Sequence, residues 1–145
     1  MPATADREFD SFWMERCFQL AEAAGASGDA PVGAVLVRKA DNREIAAAKE
    51  SAVRDSDITG HAEVTVLRLA VATLATNNLS DYTLYTTTEP CWMCSYLLRE
   101  LHVARIVIGK PLFDIGGASS VYPILRDRTV SEWGPPPEII FFEEN

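Results

Sequence analysis

The chain has 145 residues and a mass of 15.9 kDa; 48% of its residues are apolar and 23% charged, and 13 basic against 21 acidic residues leave a formal charge of −8. This length suits a single domain over residues 1–145, and the composition excludes a disordered or fibrous chain. The apolar runs fall far short of the ~20 residues that cross a bilayer, so no membrane partner is expected, and the scattered basic residues argue against a nucleic-acid partner.

Asp6, Glu8 and Asp10 stand where a secretory signal needs basic residues and then an apolar stretch, so a cytoplasmic protein is expected. Phe9, Phe12, Trp13, Leu20, Ala21 and Ala24 share one face of a helix predicted over 9–26, which Gly25 and Gly28 end. Pro31 leads into an apolar strand at Val32–Val37, and the Asp41-Asn42 turn joins it to a second strand around 44–48 as a hairpin. The polar residues 49–60 read as a loop beside a site. A helix over 61–75 follows, with Val64, Leu67, Val71 and Leu74 as its buried stripe.

Tyr82–Thr87 has the β-branched and aromatic content of a strand. Pro90 suits the first position of a helix that runs to about Leu101 and turns Leu97, Leu98 and Leu101 inward. Val103–Ile108 is a fourth strand, and its short link from that helix predicts a parallel β-α-β crossover. A glycine-rich loop leads to a short helix near 119–126, and Pro135-Pro136-Pro137 precedes a terminal segment at 138–145. Alternating helices and strands make this an α/β fold, a three-layer α-β-α sandwich.

Chemistry concentrates in His61-Ala62-Glu63 and Pro90-Cys91-Trp92-Met93-Cys94. Cys91 and Cys94, three apart in the first turn of a helix, share a face on which unpaired N–H groups and the helix dipole favour thiolates. His61, opening the other helix, adds a neutral nitrogen. Two sulfurs and an imidazole suit Zn²⁺ and leave its fourth tetrahedral position open, as catalysis requires. Glu63 is placed to take a proton from the attacking water and deliver it to the substrate. Alone, a Cys-x-x-Cys pair is as well explained by redox or structural use, and a His-x-Glu by nothing in particular. Together, with 26 residues between Glu63 and Pro90, they form the signature of zinc-dependent nucleobase deaminases. A closed structural zinc, as in a non-catalytic zinc-stabilised interaction domain, needs a fourth ligand. Cys17 is expected to be a buried thiol, and His102 lies about 12 Å along the helix from Cys94.

On these residues the chain resembles the cytidine and deoxycytidylate deaminase superfamily, in the branch of cytosine deaminase, guanine deaminase and the tRNA adenosine deaminases. The likeness is strongest in Ala30–Val37, Gly60–Val64 and Leu84–Cys94. It implies a mixed five-stranded sheet, usually a homodimer, His61, Cys91 and Cys94 on zinc, and Glu63 as proton shuttle. Two positions depart from the family. Its usual substrate-binding Asn, eleven residues before the zinc His, is Glu50 here, and its small pair after the second Cys is Tyr96-Leu97 beyond Ser95. Phe141-Phe142-Glu143-Glu144 resembles the aromatic, acidic segment that closes the pocket of the free-base enzymes, which puts Phe141, Glu143 and Glu144 beside Glu50 as expected substrate contacts. With the acidic balance, this predicts a small-molecule substrate, a free base or amino-heterocycle. A tRNA adenosine deaminase is the alternative.

Overall fold

A computed structural model of the chain describes residues 4–143. Its elements, in order, are α1 (Thr4–Ala26), β1 (Gly33–Arg38), β2 (Arg43–Lys49), α2 (Ala62–Leu74), β3 (Tyr82–Thr88), α3 (Trp92–Glu100), β4 (Arg105–Lys110) and β5 (Glu138–Phe141), with single 3₁₀ turns at Ile124–Arg126 and Ser131–Trp133 between β4 and β5. The strands form one mixed sheet of order β2-β1-β3-β4-β5. β1 pairs antiparallel with β2 and with β3, as a hairpin requires, and β3, β4 and β5 run parallel.

The period-two alternation of the strands divides the core into two layers. Ala34, Leu36, Leu84, Ile106 and Ile108 face α2 and α3, where they meet Ala62, Val66, Leu67, Ala70 and Leu98. Val35, Val37, Tyr85 and Val107 face α1 and pack on Trp13, Met14 and Cys17. The result is the expected three-layer sandwich. Gly33 lets α1 lie close on the sheet, because a Cβ there would collide with the Cys17 carbonyl and the Leu20 side chain. A buried ion pair fixes the same layer: Arg105 Nη1 and Nη2 donate to Asp10 at 2.8 and 2.7 Å, and the Tyr85 hydroxyl donates to Asp10 Oδ1 at 2.7 Å.

Three local expectations change. Pro90 is not the first helical residue of α3: Cys91 is the N-cap, with extended backbone, and Pro90 lies outside the helix. The helix expected over 119–126 shrinks to Ile124–Arg126; the Ala118 and Ser119 N–H groups turn to Glu89, the Gly117 N–H to Pro90 and the Leu125 N–H to the Gly117 carbonyl. The terminal segment becomes β5, an edge strand whose Phe141 pairs with Ile108.

Candidate metal centre and active site

Both helices that build the site start at a ligand. His61 is the N-cap of α2 and Cys91 the N-cap of α3, and neither side chain caps its own helix. The side chains are therefore free to meet, and the positive ends of two helix dipoles converge on them. Cys94 follows in the first turn of α3. Cys91 Sγ lies 3.4 Å and Cys94 Sγ 3.5 Å from His61 Nδ1, and the sulfurs are 3.6 Å apart. Tetrahedral Zn²⁺ with Zn–S of ~2.3 Å and Zn–N of ~2.0–2.1 Å would separate its ligand atoms by about 3.8 Å for two sulfurs and about 3.6 Å for sulfur and nitrogen. The donor set thus fits zinc in both chemistry and spacing. Among the described residues no other cluster of three such ligands occurs, and no fourth protein ligand joins this one. Cys17 is buried on α1 against the opposite face of the sheet, and the His102 ring meets the Trp133 carbonyl. A closed structural site is therefore disfavoured.

Charge in the centre follows from burial. The hydrogen bond from Cys94 holds the Cys91 thiol down at about 5. That same bond, with burial, pushes Cys94 up, so the second proton leaves only when a cation takes its place. Burial pushes the Glu63 carboxyl up to about 8, and the Cys91 and Glu50 charges add to this. Glu63 Oε1 is sealed from solvent and has no hydrogen-bond partner among the described residues.

Glu50 is brought into the same centre. It is buried, and its Oε1 accepts a hydrogen bond of 3.2 Å from the Ala62 N–H, between His61 and Glu63. Burial raises its affinity for a proton, which the nearby His61 opposes. Its second oxygen is not among the sealed, partnerless atoms. It does not pair with Arg54, which turns instead to Asp55.

The C-terminal residues are not brought in. Phe141 lies in β5, two strands from β3, hence about 10 Å to the side, and it packs on the core layer beneath α2 and α3. Glu143 is exposed, and Glu144 lies outside the described residues. The described part of this segment is held in the sheet by its pairing with β4.

Two buried carboxylates beside the centre went unread in the sequence. Asp29 accepts the Val53 and Arg54 N–H groups at the base of the 51–60 loop. Glu89, directly before Pro90, accepts from Leu112, Ala118 and Ser119. Their one signal was adjacency to the motifs Ala30–Val37 and Pro90–Cys94.

Residues 7–110 match the family model described as the cytidine and deoxycytidylate deaminase zinc-binding region. A tRNA-specific adenosine deaminase of Haemophilus influenzae is 36% identical over 120 residues, 83% of this chain and 69% of that protein. A solved structure from a study of A-to-I editing by tRNA:A34 deaminases at the wobble position of transfer RNA superimposes with a TM-score of 0.81 at 29% identity, over 91% of this chain and 98% of that one. Guanine deaminase of Bacillus subtilis superimposes with a TM-score of 0.65 at 31% identity, over 70% of this chain and 64% of that one. These relatives overturn two expectations, a free base or amino-heterocycle as substrate and no nucleic acid as partner. The tRNA:A34 deaminase structure superimposes more closely than the guanine deaminase does, at TM-scores of 0.81 and 0.65. Net charge misled because it sums over a whole surface, whereas a polyanion meets one patch.

Proposed function

The chain belongs to the cytidine and deoxycytidylate deaminase family, and from that premise we propose that this zinc-dependent hydrolytic deaminase converts adenosine within tRNA to inosine. The likeness to tRNA-directed deaminases along nearly the whole chain carries the reading. His61, Cys91 and Cys94 would hold Zn²⁺, which supplies Lewis acidity and brings the pKa of a water from 15.7 toward ~7. Glu63 takes a proton from the attacking water and passes it to the ring nitrogen, then carries a second proton from the new hydroxyl to the departing amine. The carbon that bore the amino group gains oxygen, and ammonia leaves. Glu50 forms one wall of the pocket and orients the base.

A cytoplasmic homodimer is part of the proposal. Met93, Tyr96 and Tyr122 are exposed around α3, with Tyr122 against the Trp92 ring, an apolar face that a second copy would cover. Sedimentation at about twice the 15.9 kDa chain mass is expected, and a monomer at micromolar concentration would refute this part.

The substrate experiment measures ammonia and inosine from tRNA beside adenosine, adenine, guanine and cytosine. Turnover of tRNA with negligible turnover of the rest is expected. Ammonia from a free base and none from tRNA would overturn the proposal.

A further inference from the structure

Glu89 is almost fully buried at 1% exposure, directly before Pro90 and Cys91, yet it makes no ion pair with any described residue. Its carboxylate is spent on one loop. Oε1 accepts from the Leu112 N–H at 3.2 Å and the Ser119 hydroxyl at 2.6 Å, and Oε2 accepts from the Ala118 and Ser119 N–H groups at 3.0 and 2.9 Å. Both ends of the 112–119 loop thus close on one side chain. Gly116 lies against it, where a Cβ would collide with Glu89 Oε2, and the Gly116 backbone bridges to Cys91. The Gly117 N–H donates to the Pro90 carbonyl, which also accepts from Ser95 Oγ. The loop so held carries Leu112, whose side chain packs on Val64, Cys91 and Cys94.

We propose that Glu89 is a positioning residue that fastens the 112–119 loop to the start of α3, so that Leu112 shields the two cysteine sulfurs of the metal centre from water. The idea rests on the metal reading of His61, Cys91 and Cys94, but not on the identity of the substrate. A carboxylate is needed because all four partners donate, and only an ionised acid offers acceptors alone. Glutamine in its place turns one acceptor into a donor, so either Leu112 or the Ala118–Ser119 pair loses its bond. With the loop loosened, water and chelators reach the sulfurs. Groups that orient metal ligands from behind typically change metal affinity by 10–100-fold.

The experiment loads the full chain with zinc, confirms one equivalent per chain, and follows zinc release to a chromogenic chelator. Glu89→Gln is compared with the parent and with Val37→Ala, a core truncation on the α1 side of the sheet that lowers stability without touching the loop. Release about tenfold faster in Glu89→Gln than in Val37→Ala is expected, and equal release in the two would overturn the proposal. Ser119→Ala removes only the hydroxyl contact and covers the case in which Glu89→Gln does not fold: a severalfold faster release supports the idea, and a parental rate overturns it. A parent that binds no zinc would refute the metal reading and the proposal with it, whereas a zinc-loaded parent with unaffected variants refutes only the positioning role.

Discussion

At the scale of single residues, the proposed mechanism divides the centre into groups that hold a metal and groups that handle protons, and the two kinds should respond differently to substitution. Cys91→Ser or Cys94→Ser removes one of three ligands, so both metal and activity should be lost. Glu63→Ala leaves all three ligands in place; it should keep one zinc per chain while turnover falls by about 10²–10⁴-fold, the usual share of a positioned acid–base group. Metal analysis and turnover on the same samples check this, and a Glu63→Ala enzyme with full activity would defeat the mechanism. Glu50 poses a sharper question. With Oε1 committed to the Ala62 N–H, its other oxygen can accept from a substrate but, when ionised, cannot donate to one as an Asn would. A mismatched buried polar contact costs ~1–3 kcal/mol, about ten- to a hundredfold in rate. Glu50→Asn should shift kcat/KM by that much between tRNAs carrying adenosine and 2,6-diaminopurine riboside at the reactive position; an unchanged ratio removes Glu50 as a specificity residue. His61, Glu63, Cys91 and Cys94 were legible in the sequence because His-x-Glu and Pro-Cys-x-x-Cys together form a recognisable signature, although His61 and Cys91 are 30 residues apart. Glu89 and Asp29 were not, because their partners lie 23–30 and 24–25 residues away along the chain, in loops whose paths no local pattern encodes.

At the scale of elements, periodicity sufficed where a segment buries one face against the sheet. α2, β1 and β3 fall within a residue or two of their expected bounds for that reason. It failed between β4 and β5, where structure hangs on two distant side chains, Glu89 and Arg99. Buried Arg99 of α3 donates from Nη1 to the carbonyls of Ile124 and Asp127 at 2.8 and 2.9 Å and lies over the Trp133 ring at 4.8 Å. A chain pinned at those points forms single turns rather than the helix its composition suggested. The docking of α1 likewise depends on charge as much as on apolar area. Asp10 and Arg105 are both nearly sealed, and the one other acid on Arg105 among the described residues, Glu138, is largely exposed. Asp10→Ala strands the guanidinium, at a cost of about 3–5 kcal/mol for a broken buried pair, a large part of the 5–15 kcal/mol typical of a domain. Urea denaturation should show that loss while zinc content stays at the parental level, since the pair lies across the sheet from the metal ligands; a loss under 1 kcal/mol would mean that apolar packing alone docks the helix.

At the scale of the whole molecule, the proposed tRNA substrate, a polyanion, must be reconciled with a formal charge of −8. The strand directions bring three basic residues to the metal-bearing end of the sheet: Lys49 at the close of β2, Lys110 at the close of β4 and, in the loop before His61, Arg54, which would exchange its Asp55 partner for a phosphate. None is nearly enough to offset the global charge, yet each can meet a phosphate within a Debye length of ~8–10 Å. Recognition is therefore expected to lean on the pocket and on exposed apolar residues of the rim, with Val53 at 71% and Ile58 at 86% exposure, more than on counterion release. Neutralising three phosphates of a single-stranded segment at ~0.7 counterions each gives a slope of about −2 for the logarithm of the tRNA association constant against the logarithm of salt concentration. Binding measured from low to physiological salt should give that shallow slope, and Lys110→Ala should reduce its magnitude by about 0.7. A slope of −5 or steeper would require a phosphate-binding surface elsewhere on the chain, and would replace these three residues as the electrostatic contacts of the substrate.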